Sequence, residues 1–190
     1  MQIGVNMTSI ELMMEEHKKI LRMLEVVRRA CTLFMEQNTI NYSDFEKMVD
    51  YIKNYADLHH HGKEEKFLFK EMQEQMGQMG TNLVKHGMLV EHDWGRLFVS
   101  ELLAAIESYR NGNTEAKLDI IANAVGYTAH LKRHISKEDA VVYVFAAQKL
   151  SQETMERVDK LTDIFEAEAM ENKIQETYDS LLTELEGKYL

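Results

Sequence analysis

Proline is absent from this 190-residue sequence, and glycine occurs only nine times. Helices therefore meet few obligatory breaks, since proline removes a backbone donor and glycine costs about 1 kcal/mol in a helix interior. The dense turn punctuation of β-rich folds is missing as well, which makes an all-α chain the economical reading. Cys31 is the sole cysteine. Neither an intrachain disulfide nor a thiolate metal cluster can form from it, so it reads as a small buried hydrophobe, and a reducing cytoplasm is the expected compartment. No apolar run is long enough to span a bilayer, and Met1 to Ser9 lacks the basic and apolar regions of a signal peptide. Basic side chains are outnumbered, 22 Lys and Arg against 32 Asp and Glu, for a net charge of −10. That balance suits neither a phosphate backbone nor an anionic membrane surface, so no nucleic-acid or membrane partner is expected.

What remains is ordinary for one globular unit. Apolar residues make up 45% of the chain, enough to bury one sizeable core, and residues 1–190 read as a single domain. Thr8 with Glu11 forms a capping box. From there Ile10, Met13, Ile20, Leu24, Val27 and Cys31 keep helical spacing to about Gln37. Ser43 and Glu46 suggest a second capping box, opening a helix through Phe45, Val49, Ile52 and Ala56 to about Met76. Gly77 to Asn82 reads as a loop, a third helix runs from about Leu83 to Tyr109, and Asn111-Gly112-Asn113 breaks it. Thr114 is placed to cap a fourth helix reaching Leu150, and Ser151 to cap a last helix to about Leu185. Short connections between long helices favour antiparallel neighbours. The expected architecture is an up-down four-helix bundle over residues 8–150 with an additional C-terminal helix over 151–190.

The chemistry lies in an internal repeat. The second helix carries His60-His61-Gly62-Lys63-Glu64-Glu65 followed by Leu68-Phe69, and the fourth carries His134-Ile135-Ser136-Lys137-Glu138-Asp139 followed by Val142-Tyr143. The first helix contributes Glu16-His17 and the third Glu91-His92, and the interval from His17 to His60 matches that from His92 to His134 to within one residue. Residues four apart share a helix face, so His60 with Glu64, and His134 with Glu138, each offer a nitrogen and a carboxylate together. One His-x-x-x-Glu is usually a surface pair contributing roughly 0.2–0.5 kcal/mol. Two copies, each preceded by an isolated histidine at matching separation, point instead to ligands facing one another across a bundle interior, where two carboxylates can bridge two cations. Imidazole with carboxylate favours Fe, Zn or Mn over Ca or Mg, and the arrangement suits two iron ions.

These residues resemble the hemerythrin-like, or HHE cation-binding, family. The resemblance rests on Glu15 to His17, His60 to Phe69, Met88 to Asp93 with Gly95-Arg96, and His134 to Asp139, spanning roughly residues 8 to 150. It implies a di-iron centre with an oxo or hydroxo bridge, in which His17, His60, His92 and His134 are terminal ligands and Glu64 and Glu138 bridge. Oxygen-carrying members place a second histidine four residues before the third-helix ligand, and that position here is Met88. A fifth terminal ligand must then come from His61, with His86 and His130 as alternatives. Those members also set the last carboxylate five residues after the histidine, at Asp139 here, whereas the repeat favours Glu138. The function so implied is binding or sensing of O2, NO or a related small oxidant. An enzyme acting on peroxide or NO, an iron donor for damaged iron centres, and an acidic protein-binding bundle holding zinc or nothing are the competing readings. Lys63 and Lys137 are expected to face outward, His59 to face solvent or stand behind the ligands, Tyr127 to fill core or hydrogen-bond near the site, most methionines to fill core, and Trp94 to pack or line a pocket.

Overall fold

The computed structural model describes residues 7–190, so most of the amino-terminal stretch read above for a signal peptide lies outside the described residues. Six helices account for nearly all of it. They are α1 (Ser9–Gln37), α2 (42–75), α3 (77–110), α4 (116–149), α5 (Gln152–Glu171) and α6 (Ile174–Tyr189). Among the described residues there is no strand, and no helix is long and apolar enough to cross a membrane.

The Thr8–Glu11 capping box opens α1 as expected, with both reciprocal bonds formed. Ser151 likewise caps α5, accepting from the Thr154 amide. Four local expectations need correction. Helix α2 starts at Tyr42, because Asn41, rather than Ser43, turns its side-chain oxygen onto the Asp44 amide. The Gly77–Asn82 stretch is helical. The reversal before it is completed at Gly77 itself, at φ +57°, and Gly80 sits where a Cβ would lie 2.0 Å from the Met72 carbonyl oxygen. Glycine there serves close approach of two helices rather than a loop. Thr114 caps nothing, since Asn113 accepts from the Glu115 amide and α4 begins at Ala116. The C-terminal helix is a hairpin, broken where Lys173 takes a left-handed φ of 57° between α5 and α6.

Two apolar clusters hold the helices together. The larger draws Ile20 to Phe34 from α1, Phe45 to Ala56 from α2, Val99 to Ile106 from α3 and Ile120 to Ile135 from α4. The smaller takes Met13, then Leu68 to Met72, then Val84 and Met88, then Val142 to Ala146, together with Leu150 and Val158. Helices α1 and α3 thus pass from the smaller cluster to the larger, and α2 and α4 return. Hairpin α5–α6 packs Val158 on one cluster and Tyr178, Leu182 and Leu185 on the other. Lys19–Asp179, Arg22–Glu186 and Arg157–Glu71 pin its flanks to α1 and α2. Cys31, Met13, Met23 and Met48 are buried core, whereas Met14 is half-buried and Met35, Met79 and Met170 are exposed.

Between the clusters the helices widen. Wider π turns occupy Ile52–His61 and Glu64–Leu68 in α2, Val84–Met88 in α3 and Glu138–Val142 in α4, whereas α1 has none. Such turns are rare and tend to occur where a helix carries a function.

Candidate metal centre

The layer between the two clusters is polar and buried. His17, His60, His92 and His134 are each 1% exposed, His61 is 6% exposed, and Glu64 and Glu138 are fully buried. These seven side chains come from four helices and form two adjoining groups. One is His17 and His60 with Glu64 and Glu138, the other His61, His92 and His134, and within each the potential ligand atoms lie within 4.8 Å of one another. The Nε2 atoms of His17 and His60 are 2.8 Å apart, and those of His92 and His134 3.1 Å. Glu138 reaches both groups, with Oε2 3.3 Å from His17 Nε2 and Oε1 2.9 Å from His134 Nε2. Glu64 Oε2 lies 3.9 Å from His60 Nε2 and 3.5 Å from His92 Nε2.

Every one of the five rings is held from behind. The Nδ1 of His17 pairs with Asp139 at 2.7 Å, that of His60 with Glu16 at 2.8 Å, and that of His61 with Asp57 at 3.1 Å. His92 pairs with Glu65 at 2.6 Å and His134 with Glu91 at 3.0 Å. A carboxylate on one ring nitrogen fixes the tautomer and turns the other nitrogen inward as a donor to metal. The repeat accounts for most of this order. With α1–α2 and α3–α4 as the two helix hairpins, the acid after each inward glutamate (Glu65, Asp139) holds a histidine of the other hairpin, and the acid before each early histidine (Glu16, Glu91) holds the later one of its own.

Inside, three of the four carboxylate oxygens lack hydrogen-bond partners. Glu64 Oε2 and both carboxylate oxygens of Glu138 have no hydrogen-bond partner, with imidazole nitrogens close by. Glu64 Oε1 is the exception, accepting from the Tyr143 hydroxyl at 2.5 Å. Unpaired buried carboxylates are costly, and metal coordination is one of few ways to satisfy them. The charge balance reflects that strain. Burial, with the adjoining Glu138 charge, pushes the Glu64 carboxyl up to about 8. Burial would raise Glu138 too, but the surrounding imidazoles, His134 foremost, hold it well below the usual carboxylate range. Burial opposes charge on His17, His92 and His134, yet their carboxylate partners outweigh it and lift them to about 9, about 9 and about 10. Burial and the neighbouring cations press His60 down to about 4 and His61 well below its ordinary value. Inward imidazole nitrogens beside carboxylate oxygens that lack hydrogen-bond partners fit transition-metal cations.

All seven residues singled out from the sequence meet here. Of the alternatives, His86 is exposed on α3, and His130 points its Nε2 at the Glu91 carbonyl, 2.7 Å away. Asp139 turns outward onto His17. His61 enters the layer because a π turn advances fewer degrees per residue than the about 100° of an α-helix, so it diverges less from His60. Its counterpart in the repeat, Ile135, lies in an α-helical stretch and joins the larger apolar cluster. The outward assignment of Lys63 fails, since it is 1% exposed beneath α5, and of the two places open to His59 it takes the one behind the ligands, buried against the Glu16 that holds His60. Lys137 does face solvent while reaching Glu91.

Sequence reasoning missed Asp57, Glu65 and Tyr143. The repeat flagged Glu65 as an acid and Tyr143 as the aromatic matching Phe69, but their partners lie on other helices. A cavity of about 120 Å3 adjoins the centre, walled by Ile52, Val99, Tyr127 and Leu131 and touching His61 and His92. Tyr127 is thus buried beside the centre, while Trp94 is exposed. At the rim Arg96 donates to Asp57 and Glu65, both at 2.7 Å, and so ties together the supports of His61 and His92.

No curated protein and no solved structure gives a match to the chain. The hemerythrin HHE cation-binding domain matches it over residues 8–146, from the capping box of α1 to the last turn of α4. With that match laid over the convergent histidines and glutamates, the chain belongs to the hemerythrin HHE cation-binding domain family.

Proposed function

We propose that the chain holds two iron ions in the polar layer of an up-down antiparallel four-helix bundle over residues 8–150. The hairpin of 151–190 belongs to the same folding unit. His17 and His60 would hold one iron, and His61, His92 and His134 the other, with Glu64 and Glu138 offering carboxylate oxygens to both. Iron so held supplies a redox-active Lewis acid open to a small ligand. The residues do the rest. Asp139, Glu16, Asp57, Glu65 and Glu91 orient the five rings, the apolar clusters exclude bulk water, and Tyr143 holds a proton on Glu64 Oε1.

Binding or sensing of O2, NO or a related small oxidant is the activity that fits best. The observation carrying it is the three-to-two division of the imidazoles, which follows from His61 facing Ile135 in the repeat. The group of two leaves room for an outside ligand that the group of three does not. On the side of the group of two, a mostly apolar cavity of about 180 Å3 lined by Met14, His17, Leu21 and Asp139 is large enough for a diatomic molecule. Anaerobic Fe(II) loading followed by optical spectra on mixing with O2, NO and peroxide tests this. A new absorption band with O2 or NO, formed stoichiometrically and without continuing turnover, is the expected result. An unchanged spectrum with both gases refutes it, and sustained peroxide consumption well above that of free iron moves the protein to the enzyme reading.

A further inference from the structure

The C-terminal hairpin lies beyond the family match, yet it reaches the metal centre through one buried ammonium. Lys63 Nζ donates to Glu16 Oε1 and to Glu166 Oε1 and lies 3.1 Å from His59 Nε2. His59, Glu16 and Glu166 alone have the makings of a cation site, and the ammonium is the cation that fills it. The other oxygen of Glu16 accepts from His60 Nδ1 at 2.8 Å. On the far side Glu166 Oε2 accepts from Gln175 of α6. One unbroken series of contacts therefore runs from α6 through Glu166, Lys63 and Glu16 to an iron-facing imidazole. Phe165 reinforces the grip. Its ring lies 5.5 Å from the His59 ring, with the Lys63 and Lys66 ammonium groups 5.8 and 5.5 Å from its centroid.

The second half of the repeat provides the comparison. Lys137 pairs with Glu91, which holds His134 Nδ1, as Lys63 pairs with Glu16. But the Lys137 side chain is 53% exposed, whereas Lys63 is sealed under Glu166. The two halves share a motif and differ in what covers it.

We propose that the hairpin is a positioning element for one half of the centre: Glu166, acting through Lys63 and Glu16, fixes the ring of His60 and so sets the His17–His60 metal position apart from the other. This rests on the two-metal reading above. Partners behind a metal-binding histidine are commonly worth about 10–100-fold in metal affinity. Glu166→Gln keeps the shape and removes the charge, leaving Glu16 as the only carboxylate on Lys63 and loosening its hold on His60.

The test uses the full chain, titrated with Fe(II) without oxygen and examined by Mössbauer spectroscopy, in wild type, Glu166→Gln and Lys137→Met. Glu166→Gln is expected to weaken one of two binding steps about tenfold and to shift one iron signal while leaving the other. Lys137→Met is expected to spare that step and signal. Should Glu166→Gln fold poorly, Gln175→Leu releases the same carboxylate one bond further out, with a smaller shift of the same signal expected. Unchanged steps and signals in a folded variant, even with a lower melting temperature, overturn the proposal and make the hairpin mere packing. Equal changes at both irons overturn it too. A wild-type chain that takes up fewer than two metals refutes the two-metal reading and this inference with it, which separates the two failures.

Discussion

Metal uptake should expel protons from this protein, and the number can be worked from the centre itself. In the metal-free chain His17, His92 and His134 titrate at about 9, about 9 and about 10, and Glu64 at about 8. All four groups carry a proton at pH 7, whereas His60, at about 4, and His61, well below its ordinary value, do not. Ligation requires neutral imidazole and ionised carboxylate, so filling both positions at pH 7 releases about four protons. Affinity then rises with pH, by up to about two logarithmic units per pH unit for each of two metals, and levels off above about pH 10. The same groups fix the stability profile of the metal-free chain. The three raised histidines stabilise it fully below about pH 6.5, and that contribution disappears as pH climbs through 9 to 10. Glu64, raised, costs stability progressively between about pH 4.5 and 8, in the same direction, while His60 and His61 cost stability as pH falls below about 6.5. The metal-free protein should therefore lose stability on the alkaline side, and the loaded protein should not. Calorimetric titration with Zn(II), a redox-silent probe, in two buffers of different ionisation enthalpy counts the protons. Release of fewer than one proton at pH 7, or an affinity independent of pH between 6 and 9, refutes the charge assignment.

Three further outcomes follow from the same geometry. His61→Ala should lower the metal content measured by elemental analysis, while His86→Ala and His130→Ala leave it intact, because of the three only His61 joins His92 and His134 in a ligand group. Tyr143→Phe strips the partner from a fully buried carboxylate oxygen. Thermal or urea unfolding of the metal-free chain should then show a loss of about 1–3 kcal/mol, with iron content preserved. Arg96→Ala unties Asp57 from Glu65, and a competition titration against a chromophoric chelator should show metal binding weakened about tenfold or more.

Much of this was legible in the sequence because the repeat states it twice. The His-x-x-x-Glu pair puts its two groups on one helix face whatever the tertiary structure, and the preceding Glu16-His17 and Glu91-His92 mark the opposite wall. The choice of Glu138 over Asp139 came from the repeat, and the structure turns those two side chains inward and outward respectively. What escaped was whatever depends on contacts between distant segments. Lys63 looked like a solvent-facing lysine until Glu166, 103 residues later, covered it. Hairpin α5–α6 looked like one helix because its turn uses Lys173 in a left-handed conformation rather than a glycine. The glycines of 77–82 signalled a loop where they permit two helices to touch. The π turns that swing His61 inward have no compositional marker at all.

Counting irons is the most direct check. Metal-free protein titrated with Fe(II) under nitrogen, desalted and analysed should retain two irons per chain, and Glu138→Ala, lacking the carboxylate that spans both histidine groups, should retain one or none. A wild-type chain that keeps no iron, or a Glu138→Ala chain that still keeps two, would contradict a centre built by these seven side chains.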